Sequence, residues 1–136
     1  MPKLRLIFCF LLLWLAACKP KDQSQQEAVV PEPTLLYGIA IDSLEVKQEE
    51  VRKGDNLSII LNRHGLNGQA VQKVVEAAKG IFDVRAIRAG QGYTTISDSN
   101  ALRYWIYEKD LVSYFIFDFT DSLPKVQRFD RPIETH

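Results

Sequence analysis

The chain has 136 residues, with 17 basic and 17 acidic side chains and a formal net charge of zero. That balance argues against a partner chosen by charge alone, such as nucleic acid; the pairs Arg52–Lys53 and Arg85/Arg88 read as ordinary surface charge. It holds two cysteines, Cys9 and Cys18, too few for a disulfide framework.

Lys3 and Arg5 precede a continuous apolar run, Leu6 to Ala17. A basic start followed by so short an apolar stretch reads as a leader rather than a spanning helix, so residues 1–17 are expected to be a signal peptide. The run ends in Leu-Ala-Ala-Cys at Cys18. This is similar to the lipobox of bacterial lipoproteins, and the resemblance implies that Cys18 is lipidated and becomes the mature N-terminus. Cys9 leaves with the leader. Loss of Lys3 and Arg5 leaves 15 basic against 17 acidic residues. The expected location is the bacterial cell envelope, with the chain lipid-anchored to a membrane on the periplasmic side or at the outer membrane.

Residues 18–34 are polar, Gln-rich and Pro-containing, which predicts a flexible tether. From Leu35 on, roughly 100 residues suffice for one compact domain or two very small ones. Ser43–Lys53 has strand character and heavy charge, so it is expected at a sheet edge.

"VRKGDNLSIILNRHG" follows, residues 51–65. Gly54 permits a tight turn, and Asp55 suits an N-cap because its carboxylate can accept from free amides of a first helical turn. Leu57, Ile60 and Leu61 form one stripe at helical spacing. His64 stands where the helix dipole is negative, and Gly65 suits the left-handed residue that ends a helix. Asn67 is a second N-cap candidate. Val71, Val74, Val75 and Ala78 repeat the stripe, and Gly80 closes it. Two short helices joined by Gly-Leu-Asn predict a helical hairpin.

After "GIFDVRAI", a turn at Ala89–Gly92 leads to a strand from Tyr93 to Ile96. Then Leu102, Tyr104, Ile106 and Glu108 alternate with Arg103, Trp105 and Tyr107. Lys109-Asp110 turn the chain, and Val112, Tyr114, Ile116 and Asp118 alternate with Ser113, Phe115, Phe117 and Phe119. That pattern predicts an antiparallel hairpin. Both faces of its second strand carry apolar residues, so both are expected to be covered. Its aromatics could stack on sugars, but they read first as core and cross-strand pairs. "KVQRF" adds a short strand.

The motif V-x-x-G-D-x-L-S-x-I-L, continued by "IRAGQGYTTI", resembles a LysM module, a small peptidoglycan-binding unit. Gly54, Asp55, Leu57 and Ser58 carry its opening, and Arg88–Gln91 its closing turn. The resemblance covers about 46 residues, Val51 to Ile96. The second helix lacks an Asn-Pro near its end, and the insert before the last strand is long. In both respects the chain is more similar to the LysM-like region at the N-terminus of bacterial cell-wall zinc endopeptidases of the lysostaphin/LytM type. The expected fold class is α+β, with a LysM-like strand-helix-helix-strand unit at 35–97 and an antiparallel hairpin or small sheet at 98–136. The latter region is expected to pack on a peptidase catalytic domain. By the resemblance, glycan would bind between Gly54, Asp55, Asn56 and Leu57 on one side and Gly80, Ile81, Phe82 and Asp83 on the other.

A zinc peptidase of this type needs H-x-x-x-D and H-x-H ligand patterns and an open position for water. The sequence has only His64 and His136, so neither pattern is present and no metal or cofactor is expected. Ser58 lies nearly two turns from His64, a chance pairing. Asp83, Glu108 and Asp110 do not suggest the facing carboxylates of a glycosidase. Three readings follow. One is a non-catalytic regulatory or targeting region of a peptidoglycan endopeptidase, partnered in cis or in trans by a catalytic domain; the end at His136 just after a β segment favours it. The others are a stand-alone peptidoglycan-binding lipoprotein and a structural envelope lipoprotein that binds a protein through the hairpin.

Overall fold

A computed structural model describes residues 30–135; the leader, Cys18 and most of the tether lie outside them. Residues 33–136 form a compact unit.

The unit opens with a small hairpin that the sequence pattern did not signal. Strands β1 (Leu35–Leu36) and β2 (Ile39–Ala40) pair across Tyr37-Gly38. Both turn residues have positive φ, +53° and +78°, as a two-residue hairpin of this hand requires. Strand β3 (Glu45–Glu50) follows, then helix α1 (Leu57–Arg63) and helix α2 (Gly68–Ala78). A 3₁₀ turn at Val84–Ala86 leads to β4 (Gly92–Asp98), β5 (Ala101–Glu108), β6 (Ser113–Asp118) and β7 (Lys125–Asp130). The five longer strands make one antiparallel sheet in the order β3-β4-β5-β6-β7. Two helices on antiparallel sheets fit the expected α+β class. The charged Ser43–Lys53 segment does lie at an edge, and "KVQRF" supplies the other edge.

Helix α1 starts one residue later than expected. Asn56, not Asp55, is its N-cap, accepting from the Ile59 amide at 3.0 Å. Asp55 then stands just outside the helix. Its carboxylate accepts from the Arg52 amide at 3.0 Å and from the Arg63 guanidinium at 2.7 and 3.1 Å. Asn67 caps α2 as expected, accepting from the Ala70 amide at 2.9 Å. Gly65, at φ +94°, ends α1, and the Leu66 amide reaches back to the Leu61 carbonyl at 3.0 Å.

The helices cover one face of the sheet. Leu57, Ile60, Leu61, Val71, Val74 and Ala78 share a core with Phe82, Tyr93, Trp105, Tyr107, Phe115, Phe117 and Val126, and Val75 packs at its margin. On the other face Ile96, Ile106 and Ile116 are covered by Tyr37, Ile39, Ile41 and Leu44. Both faces are thus covered, the second by the segment just before β3.

One detail of the alternation is corrected. Leu102 was expected to share a face with Tyr104 and Ile106. The register between β4 and β5 shifts at Ile96/Ser97, and Arg103 is skipped. The bulge turns Leu102 to the helix side, where it joins Trp105 and Tyr107.

Candidate functional site

The residues proposed to hold glycan divide between structure and surface. Leu57 is buried in the core, and Asn56 is used as the α1 cap. The Asp55 carboxylate is held below its usual pKa, chiefly by the Arg63 guanidinium. On the opposing segment, the Phe82 ring packs 4.6 Å from Phe115 and 5.3 Å from Tyr107, centre to centre. Asp83 caps the 3₁₀ turn, accepting from the Arg85 amide at 3.0 Å. Gly80 is exposed, with φ +76°, and Ile81 is 44% exposed.

Gly80, Ile81, Phe82 and Asp83 do come together. They line a shallow groove of about 520 Å³ at the C-terminal end of α2, with Lys79 and Arg85 among its other walls. An apolar floor with charged walls suits a ligand that has both polar and apolar groups. The lining of this groove comes from residues 75–85, so the Gly54–Leu57 segment takes no part in it.

The groove segment is tied to the sheet through Tyr107. This residue is fully buried, and its hydroxyl donates to the Gln91 side-chain carbonyl and accepts from the Arg88 amide at 3.3 Å. Gln91 in turn donates to the Lys109 carbonyl at 2.9 Å. The Arg88–Gln91 turn is therefore a clamp between the end of the helical excursion and the β5–β6 hairpin. Tyr107→Phe leaves these groups without their shared partner and is expected to cost about 1–3 kcal/mol. Chemical denaturation with an unchanged m-value measures it.

A second groove, about 410 Å³, is lined by Glu49, Glu50, Tyr93 and Glu108 among others. Beside it, His64 Nε2 lies 3.0 Å from Glu49 Oε2, an ion-pair distance, although that oxygen has no well-aligned hydrogen-bond donor among the described residues. His64 also meets Tyr93 edge-on, with Nε2 3.4 Å from the hydroxyl. Glu108 accepts from the Tyr37 hydroxyl and from Arg131 at 2.9 Å. No local motif announces these clusters, because their members are far apart in the sequence.

Burial lowers the His64 pKa; Glu49 opposes that shift without cancelling it. The folded value therefore lies below the unfolded value of about 6.5. The unfolded chain binds the proton first as pH falls, so the stability contributed by neutral His64 is present above about pH 6.5 and is lost below it. Several carboxylates titrate at still lower pH. The difference between the parent and His64→Gln isolates the histidine: the parent's Tm should fall more steeply below about pH 6.5. Equal slopes would reject the assignment.

Among the described residues, no group of three or more His, Cys, Asp or Glu side chains is placed to hold a metal ion. No described helix is long and apolar enough to cross a membrane.

Residues 46–102 match a family model described as NMB0315-like, domain I. No curated protein matches the sequence at a significant level. Among solved structures, the chain is similar to a zinc containing peptidase from Vibrio cholerae, at 21% identity and a TM-score of 0.57. The match covers 65% of this chain and 28% of that one, so it spans less than a third of that peptidase's length. The chain thus shares the fold of one region of a zinc peptidase and, over residues 46–102, the sequence pattern of an NMB0315-like domain I.

Proposed function

We propose that this chain is a non-catalytic regulatory or targeting region related to peptidoglycan endopeptidases, lipid-anchored in the bacterial cell envelope through Cys18 and acting in cell-wall remodelling. The observation that carries the reading is the fold shared with part of a zinc peptidase, in a chain whose two histidines cannot supply the zinc-ligand patterns. In this reading residues 35–97 are the LysM-like portion. The sheet from residue 98 on faces a catalytic domain, in cis or in trans, and positions it or covers its active-site groove.

The test adds purified residues 33–136 to a LytM-type zinc endopeptidase domain acting on peptidoglycan sacculi. Slower release of soluble fragments is expected, with no release by residues 33–136 alone. Unchanged release at saturating concentration would reject the regulatory reading. In whole cells, Cys18→Ala should free the protein from membranes; unchanged membrane partitioning would reject the anchor.

The groove at the end of α2 supports the second reading, a peptidoglycan-binding lipoprotein. Ile81 is the residue to probe it with, because it is exposed whereas Phe82 belongs to the core. Co-sedimentation with sacculi that Ile81→Asp abolishes, without inhibition of the endopeptidase, would favour this reading.

A further inference from the structure

Strand β7 closes one side of the sheet, and nothing among the described strands pairs with its outer edge. Every residue in it except Val126 is exposed. The phase of the ladder tells which backbone groups face outward. The Arg131 amide donates to the Val112 carbonyl at 2.8 Å, and the register continues as Ser113↔Asp130 and Tyr114↔Phe129. Bonded and non-bonded pairs alternate along an antiparallel ladder. The backbone groups of Val126, Arg128 and Asp130 therefore point away from β6.

We propose that this edge pairs antiparallel with the same edge of a second copy, about a two-fold axis at Phe129. In that register Arg128 stands opposite Asp130 of the second copy, and Asp130 opposite its Arg128. Both are outward-facing residues and exchange backbone hydrogen bonds. Both side chains are about half exposed, at 52% and 54%; within one copy they already meet at 3.3 Å, with Ser113 bonded to both, and the pairing sets each beside a second opposite charge across the axis. Phe129 meets Phe129 of the second copy at a non-bonded position, where opposed side chains lie closest. Phe129 is 37% exposed and stacks on Tyr114, with centroids 5.5 Å apart and planes 15° apart. The pairing extends that stack across the axis and covers its open side. A shift of the axis to Arg128 would set two guanidinium groups against each other, which selects the register. Pro132 has no amide to donate, so the new ladder is short and the association reversible.

The test is sedimentation velocity on residues 33–136, from low to high micromolar concentration. A reversible dimer is expected. Arg128→Asp opposes two aspartates on each side of the axis and should weaken the dimer about tenfold or more, because the change is made twice per interface. Adding Asp130→Arg to Arg128→Asp restores opposite charges in this register and should restore the dimer. Melting curves check that the variants remain folded. A monomer at every concentration, a dimer indifferent to Arg128→Asp, or a double variant that stays monomeric while folded would each overturn the pairing.

Discussion

Trp105→Ala is expected to destabilise the fold by about 3–5 kcal/mol, the range for emptying a large aromatic site in a core. Trp105 is fully buried. Its ring lies 4.8 Å from Phe117 and 5.6 Å from both Tyr93 and Tyr107, centre to centre. Domains of this size are held by only about 5–15 kcal/mol, so the loss is a large share of the total. Scanning calorimetry should show Tm falling by about 4–8 °C for each kcal/mol lost. Trp105→Phe sharpens the test. The indole N–H is buried without a hydrogen-bond partner among the described residues, so removing it releases a desolvation cost while most of the ring volume stays. The phenylalanine variant should be much the milder of the two. Equal losses would mean that the N–H has a partner, such as a buried water.

Leu61→Ala is the second large effect, about 2–5 kcal/mol. Leu61 is fully buried in α1, in the core that the two helices share with the sheet. A two-turn helix does not stand alone, so its order depends on this packing. The variant should lose stability and also show faster amide exchange in α1 than in β5. A negligible change in Tm would show that the helix is not docked as described.

Much of this architecture was legible because its signals are local. Asn67, Gly65 and Gly80 each sit at a helix boundary and act through neighbouring amides. The β5–β6 hairpin follows from period-two alternation. Asp55 and Asn56 show the limit of such signals. Both are good capping types, and a one-residue difference in the helix start decides which caps and which is free to hold Arg63. The bulge at Arg103 left no mark because an alternating pattern does not reveal a skipped residue. The β1–β2 hairpin was missed because its strands are two residues long and its turn uses Tyr37 in a left-handed conformation. Of the expected glycan-binding residues, the Gly80–Asp83 run forms one wall of a groove, while Asn56 and Leu57 are occupied as cap and core. Sequence spacing gives proximity along the chain but not which side chains a core will take.

The order of the sheet also governs how the molecule assembles. Strands β4 to β7 follow one another through short turns, whereas β3 reaches its neighbour β4 only after the chain has passed through both helices. The three later hairpins can therefore close locally. The β3–β4 ladder must wait for a long excursion to return, and the neck of that excursion is Val51, bonded to Gly90 and Gln91 at 2.8 Å each. Closing so long a loop is slow relative to hairpin formation even though its added entropy cost is modest. Folding is therefore expected to begin in the β4–β7 meander, with the helical pair and β3 docking onto it afterwards. In the native state the same asymmetry lets β3 detach while the meander persists, so protection against hydrogen exchange should rise from the β3 edge toward β5.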